Sequence, residues 1–130
     1  MGKMQPAAII TILALLEYAV FSLLVGLARA RTGVSAPQIT GHPEFERYFR
    51  VQQNTLERLI IFIPSLWIFA FYVNALVGAA IGSLFIVGRA LYCIGYVAEP
   101  RKRGWGYNLG ELANTTLMLG GLGVAVYQCF

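Results

Sequence analysis

The fold class this sequence predicts is an all-α integral membrane protein: four transmembrane helices in one bundle. Three observations predict it. Hydrophobic residues make up 58% of the 130 and charged residues 12%, with a mean hydropathy of +0.65, whereas a soluble domain carries about 25% charged residues. The apolar residues fall into four runs, each long enough to cross a hydrocarbon core of roughly 30 Å. The charges gather between the first and second runs and between the third and fourth. A chain of this length is a single domain, residues 1–130, and its core cannot absorb so much apolar surface in water. Lipid is therefore the solvent for most of it. The net charge of +4 and pI near 9.3 then read as basic loops facing anionic headgroups, not as a nucleic-acid surface.

The first run covers residues 6–28 and is too long, and lacks a small-residue cleavage pattern, for a signal peptide. Glu17 interrupts it near the middle, and Arg29-Ala30-Arg31 stops it. Residues 32–43 hold Gly33, Pro37, Gly41 and Pro43 and read as a loop. His42 lies in this loop without evident partners and reads as solvated. Pro43-Glu44 starts the second helix, with proline early and Glu44 and Glu46 in the first turns. That helix runs to about residue 73 and is expected to bend at Pro64.

Residues 74–78 read as a short turn, after which apolar sequence runs to residue 96, so the second and third spans form an antiparallel hairpin. Glu99-Pro100-Arg101-Lys102-Arg103-Gly104 is a basic loop, and residues 105–127, rich in glycine, form the fourth span. The pairs Gly78/Gly82 and Gly106/Gly110 have the GxxxG spacing that admits close helix approach, within one chain or between chains. Trp67, Phe69 and Phe71 are expected to face lipid or packing partners. Cys93 and Cys129 sit in apolar runs with no CxxC or His/Cys ligand spacing, so neither a disulfide framework nor a metal site is expected.

With four spans, the loops after the first and third lie on one side. Arg29, Arg31, Arg47, Arg50, Arg58, Arg101, Lys102 and Arg103 all fall there, against Lys3 on the other. The positive-inside rule places both charged loops in the cytoplasm, in either a bacterial inner membrane or an endoplasmic reticulum.

Residues 47–58, Arg-Tyr-Phe-Arg-Val-Gln-Gln-Asn-Thr-Leu-Glu-Arg, carry the chemistry. At roughly 100° per residue, Arg50, Asn54 and Glu57 fall within about 60° of one another, Arg47 and Gln53 border that stripe, and Gln52 points the opposite way. Arg47 or Arg58 is expected to pair locally with Glu46 or Glu57. Charges at a membrane edge are costly unless paired or wet. Both signs plus amides on one surface suit a zwitterionic ligand: Arg for carboxylates, Glu for an ammonium, amides for peptide groups. On the third span Arg89, Tyr92 and Tyr96 share a face near the same membrane edge. Glu17 and Glu111 are the acids inside spans. Glu17 reads either as a proton-coupling carboxylate or as a hydrogen-bonded residue within the bundle.

The run Pro43-Glu44-Phe45-Glu46-Arg47-Tyr48-Phe49-Arg50-Val51-Gln52-Gln53-Asn54-Thr55-Leu56-Glu57 resembles the signature of the MAPEG family, membrane-associated proteins in eicosanoid and glutathione metabolism. The resemblance extends over nearly the whole chain: four spans, Ala28-Arg29 ending the first, the succession Arg89, Tyr92, Tyr96, Arg103, and the short basic loop. It is greatest to the branch of microsomal glutathione transferase type 2 and leukotriene C synthase. This implies a homotrimer with glutathione, a co-substrate, bound between adjacent subunits near the cytoplasmic face. By matching position, Arg50, Asn54, Glu57, Tyr92, Tyr96 and Arg103 contact it from one subunit, and Arg29 and Gln52 from the neighbour. Gln53, Arg58 and Arg89 join the candidates through their places beside these residues. The family role carried to Arg103 is to hold the glutathione sulfur as a thiolate, which attacks a lipophilic electrophile or reduces a lipid hydroperoxide in an apolar groove. No metal is implied.

Three positions depart from the family's synthase: Ala30 where a second Arg is a proposed proton donor, Arg58 where a Tyr follows the Glu, and Thr115 where a Trp closes over an acyl chain. They favour a general glutathione transferase or peroxidase over leukotriene synthesis. Two other readings compete. A non-catalytic lipid-binding adaptor of the same fold predicts a decayed polar stripe, and a small proton-coupled drug exporter built on Glu17 leaves residues 47–58 unexplained.

Overall fold

The computed structural model describes residues 3–130. Its helices are α1 (Gln5–Thr32), α2 (Pro43–Tyr72), α3 (Ala75–Ala98) and α4 (Gly104–Tyr127), with a 3-10 turn over Pro100–Arg103 leading into α4. All four are long and apolar enough to cross a membrane, the last taken together with its 3-10 turn.

Helix α1 does not stop at the first arginine. It continues through Arg29 and Arg31 to Thr32 and ends on Gly33, whose left-handed φ of 76° lets its N–H donate to the Arg29 carbonyl oxygen at 2.9 Å. The reason is electrostatic: cations in a last turn complement the negative end of the helix dipole, so the two arginines belong to the helix. Arg29 then turns onto the loop, donating to the Gln38 carbonyl oxygen at 2.6 Å and lying 4.5 Å over the Phe45 ring. Arg31 pairs with Glu44 at the start of α2.

His42 is exposed but not idle. Its Nδ1 accepts the Glu44 N–H at 3.1 Å, capping α2, whose first residue is Pro43. Helix α2 passes through Pro64 without interruption. The turn expected over 74–78 is shorter, because the Asn74 side chain accepts the Val77 N–H at 2.9 Å and residues 75–78 are already helical. One capping side chain suffices to start α3 directly after α2 ends.

Packing within a membrane relies on fit rather than on expulsion of water. Phe62 and Phe85 stack at 4.0 Å between centroids, and Leu66, Leu117, Ala14 and Ala113 close around them. Phe69 is buried, Trp67 donates to Thr11 Oγ1 at 2.9 Å, and Phe71 is 74% exposed on the outer surface. Both glycine pairs serve contacts inside the chain. A Cβ at Gly82 would lie 2.8 Å from Ile10 Cγ2, and one at Gly88 would lie 2.9 Å from the Gly106 carbonyl oxygen and 2.7 Å from the Gly110 nitrogen. So α3 and α4 cross with almost no side chain between them, and this crossing sets how near Tyr92 stands to the first turns of α4.

Candidate functional site

A cleft of about 590 Å³ opens at the end of the bundle that carries both charged loops. Arg50 and Asn54 line it from α2, Tyr92 and Tyr96 from α3, Arg103 from the 3-10 turn, and Gly104, Tyr107 and Asn108 from α4. Each set follows helical spacing: i and i+4 on α2 and α3, and i, i+3 and i+4 on α4. The same spacing stacks Tyr92 on Tyr96 at 5.5 Å and 17°, with Tyr107 tilted 6.1 Å from Tyr92. Arg103 donates to the Pro100 carbonyl oxygen at 3.3 Å, and its guanidinium carbon lies 6.0 Å from the Tyr96 ring centre.

Beneath the lining sits Arg89, only 1% exposed. Its Nε and Nη2 donate to Thr55 Oγ1 at 3.2 and 2.9 Å, and Nη2 also donates to Asn54 Oδ1 at 2.9 Å. The guanidinium lies 4.2 Å over the Tyr92 ring. This arginine therefore does not line the cleft; it orients what does. With the Asn54 oxygen occupied by Arg89, the amide nitrogen is the end that points onward, 3.4 Å from Glu57 Oε1.

The remaining predicted residues fall outside the lining. Gln52 faces α1 and donates to Ser22 Oγ at 2.9 Å, while Gln53 donates to Gln52 Oε1 at 3.5 Å. Glu57 is exposed on α2. Arg29 holds the α1–α2 loop. Arg58 reaches Glu111 on α4, with Nη1 3.2 Å from each carboxylate oxygen. The local pairing expected for Arg47 and Arg58 is thus corrected. Arg47 donates to the carbonyl oxygens of Val97 and Ala98 at 3.1 and 3.5 Å, and Glu46 accepts the Gly41 N–H at 3.0 Å. Adjacent residues on a helix diverge by about 100°, so Glu57 and Arg58 face different neighbours. Glu17 Oε1 is buried in α1 and has no hydrogen-bond partner among the described residues.

Three lining residues were not foreseen: Gly104, Tyr107 and Asn108. Their signal is helical spacing directly behind Arg103 at the start of α4. Together the lining presents two guanidiniums, three phenols and two amides with no carboxylate. Such a surface recognises an anionic, hydrogen-bonding solute and stabilises negative charge on it.

A four-helix bundle with membrane-length helices and a basic, phenol-lined cleft at one end is a defined class, and comparison assigns it. The MAPEG family model matches residues 7–123, and the chain belongs to the MAPEG family, as an integral, multi-pass membrane protein. It is 44% identical to human microsomal glutathione S-transferase 2 over 120 residues, 91% of this chain and 81% of that protein. It is also 44% identical to an uncharacterised protein of Synechocystis over 121 residues, 93% of this chain and 88% of that one. Leukotriene C4 synthase of Cavia porcellus is 38% identical over 96 residues, 74% of this chain and 64% of that enzyme.

Proposed function

We propose that the protein is a membrane-bound glutathione transferase, with a side activity as a glutathione peroxidase on lipid hydroperoxides. The observation that carries this reading is the joint lining of one cleft by Arg50, Asn54, Tyr92, Tyr96 and Arg103, in a family member whose relatives are named for glutathione transfer. The cleft volume falls within the range of small-molecule sites, about 300–1,000 Å³.

Arg50 holds a glutathione carboxylate and Asn54 takes an amide. Glu57, outside the lining but 3.4 Å from the Asn54 amide nitrogen, takes the ammonium from the cleft's edge, and the tyrosine hydroxyls donate to the remaining oxygens. Arg58, paired with Glu111, and Arg89, beneath Asn54, support these contacts, and Gln53 borders them. Arg103 stands over the sulfur. A free thiol ionises near pH 8.5, and a fixed cation beside it favours the charged form. The S–H proton leaves to water at the cleft mouth. The thiolate then attacks an electrophilic carbon of a lipophilic acceptor, so a C–S bond forms and the leaving group departs with its electron pair. With a hydroperoxide, an S–O bond forms, the O–O bond breaks and the alkoxide takes a proton. A second glutathione then releases the disulfide and water.

The working unit is a homotrimer with the cleft facing the cytoplasm. Gln52 lies about 200° around α2 from Arg50, against its own α1, so it serves a neighbour's cleft rather than its own. Arg29 joins it there. The outward apolar face of α1, with Ile9, Leu16, Leu23 and Leu27, is available to the adjoining subunit, to acceptor and to membrane lipid.

Arg103→Ala is the test. Conjugation of a small aryl halide by the detergent-solubilised protein is expected to disappear while the trimer persists on native gels. Unchanged turnover would remove Arg103 from the mechanism.

A further inference from the structure

We infer that Arg47 is a positioning residue for Arg103: by capping the end of α3 from α2, it sets where the sulfur-facing cation stands. The inference rests on the glutathione reading above.

The last carbonyl oxygens of a helix lack partners within it, and they form the negative end of its dipole. At the end of α3 no basic residue lies in the helix's own last turn. The cation comes instead from α2: Arg47 Nη1 donates to the Val97 and Ala98 carbonyl oxygens at 3.1 and 3.5 Å.

The segment after Ala98 folds back on itself as a 3-10 turn over Pro100–Arg103. The Lys102 N–H donates to the Glu99 carbonyl oxygen at 2.8 Å, Arg101 pairs with Glu99 at 3.1 Å, and Arg103 returns to the Pro100 carbonyl oxygen at 3.3 Å. The turn also presses back on α3 at Gly95, where a Cβ would lie 3.0 Å from the Lys102 carbonyl carbon. Whatever fixes the end of α3 therefore fixes Arg103.

Arg47 stands on α2 one turn before Arg50. The same turn that grips α3 thus presents Arg50 to the cleft, so the Arg47 bonds set the spacing between the cation that holds the ligand and the cation that faces its sulfur. Arg47 is absent from the cleft lining itself and borders a smaller adjoining recess with Arg50 and Tyr96. Its loss lets the 3-10 turn drift. A cation's pull on a thiol falls with distance, so the thiolate weakens while Arg50 and Asn54 continue to bind.

The experiment is a pH titration of thiolate absorbance in the ultraviolet, with glutathione bound to the full detergent-solubilised chain, alongside calorimetric affinity. Arg47→Met is expected to raise the titration midpoint of bound glutathione by about one pH unit or more. Affinity, measured at a pH below both midpoints where the bound thiol is protonated, is expected to change less than about threefold. Arg47→Lys, which keeps the charge and N–H donors but not the forked guanidinium, is expected to recover about half of that shift. It also carries the test alone, with a smaller rise, if the methionine variant does not fold. An unshifted midpoint in a folded variant overturns the inference, as does a roughly tenfold loss of affinity with the midpoint unmoved, which would make Arg47 a direct ligand. Failure of the unsubstituted protein to bind glutathione overturns the glutathione reading, and this inference with it.

Discussion

The crossing of α3 and α4 gives the sharpest structural prediction, because two glycines on facing helices should respond to the same substitution with opposite signs. A Cβ placed at Gly88 meets only backbone: the Gly110 nitrogen at 2.7 Å, the Gly106 carbonyl oxygen at 2.9 Å and the Gly110 Cα at 3.1 Å. No side chain can rotate away, so Gly88→Ala forces the helices apart by several tenths of an ångström. Overpacking of this kind costs about 1–3 kcal/mol. The gain in helix propensity from glycine to alanine returns up to about 1 kcal/mol, leaving a net loss of up to about 2 kcal/mol. At Gly110 the same Cβ lies 3.7 Å from Arg89 Cδ and 3.9 Å from Phe85 Cδ2, ordinary contact distances. Gly110→Ala therefore keeps the propensity term and gains up to about 1 kcal/mol. Thermal unfolding of both variants in one detergent measures this. Gly88→Ala should melt below the unsubstituted protein and Gly110→Ala at or above it. Since Gly88 is one turn before Tyr92, the first variant should also bind glutathione more weakly. Shifts of the same sign and size would show that the helices do not approach through Gly88.

Two more perturbations probe the polar groups inside the spans. Arg89→Met deletes three hydrogen bonds and strands Thr55 and the Asn54 oxygen. It should cost about 2–4 kcal/mol and weaken glutathione binding, and a variant as stable and as tight-binding as the parent would contradict the orienting role. Arg58 and Glu111, with side chains 23% and 32% exposed, should show coupling in a double-mutant cycle. Removing either leaves a half-buried charge, so the doubly apolar variant should lose about 1 kcal/mol less than the sum of the singles; strict additivity would mean the pair contributes nothing.

Much of this architecture is legible in the residues, because membrane helices announce themselves by length and hydropathy. The start of α2 is written in Pro43, Glu44 and Glu46, and the face of Arg50 and Asn54 emerges from counting around one helix. Sequence reasoning fails where a contact crosses between helices. Arg58 invites a local partner, yet its carboxylate lies on α4, and nothing in residues 47–58 says which way α4 leans. Arg89 shares a face with Tyr92 and Tyr96, as expected, but the depth of that face depends on the glycine crossing that buries it. Capping is the other gap. His42 and Asn74 read as loop residues until their side chains are seen to accept backbone N–H groups. Tyr107 and Asn108 are within reach, standing one turn behind Arg103, but they are hidden in a fourth span that reads as featureless apolar sequence.

The central claim is that the basic cleft binds glutathione, and titration calorimetry of glutathione into the detergent-solubilised protein tests it most directly. Saturable binding is predicted for the unsubstituted chain, with affinity reduced about tenfold or more by Arg50→Ala, the loss of one charge-assisted contact. No saturable heat, or equal affinity in the variant, would contradict it.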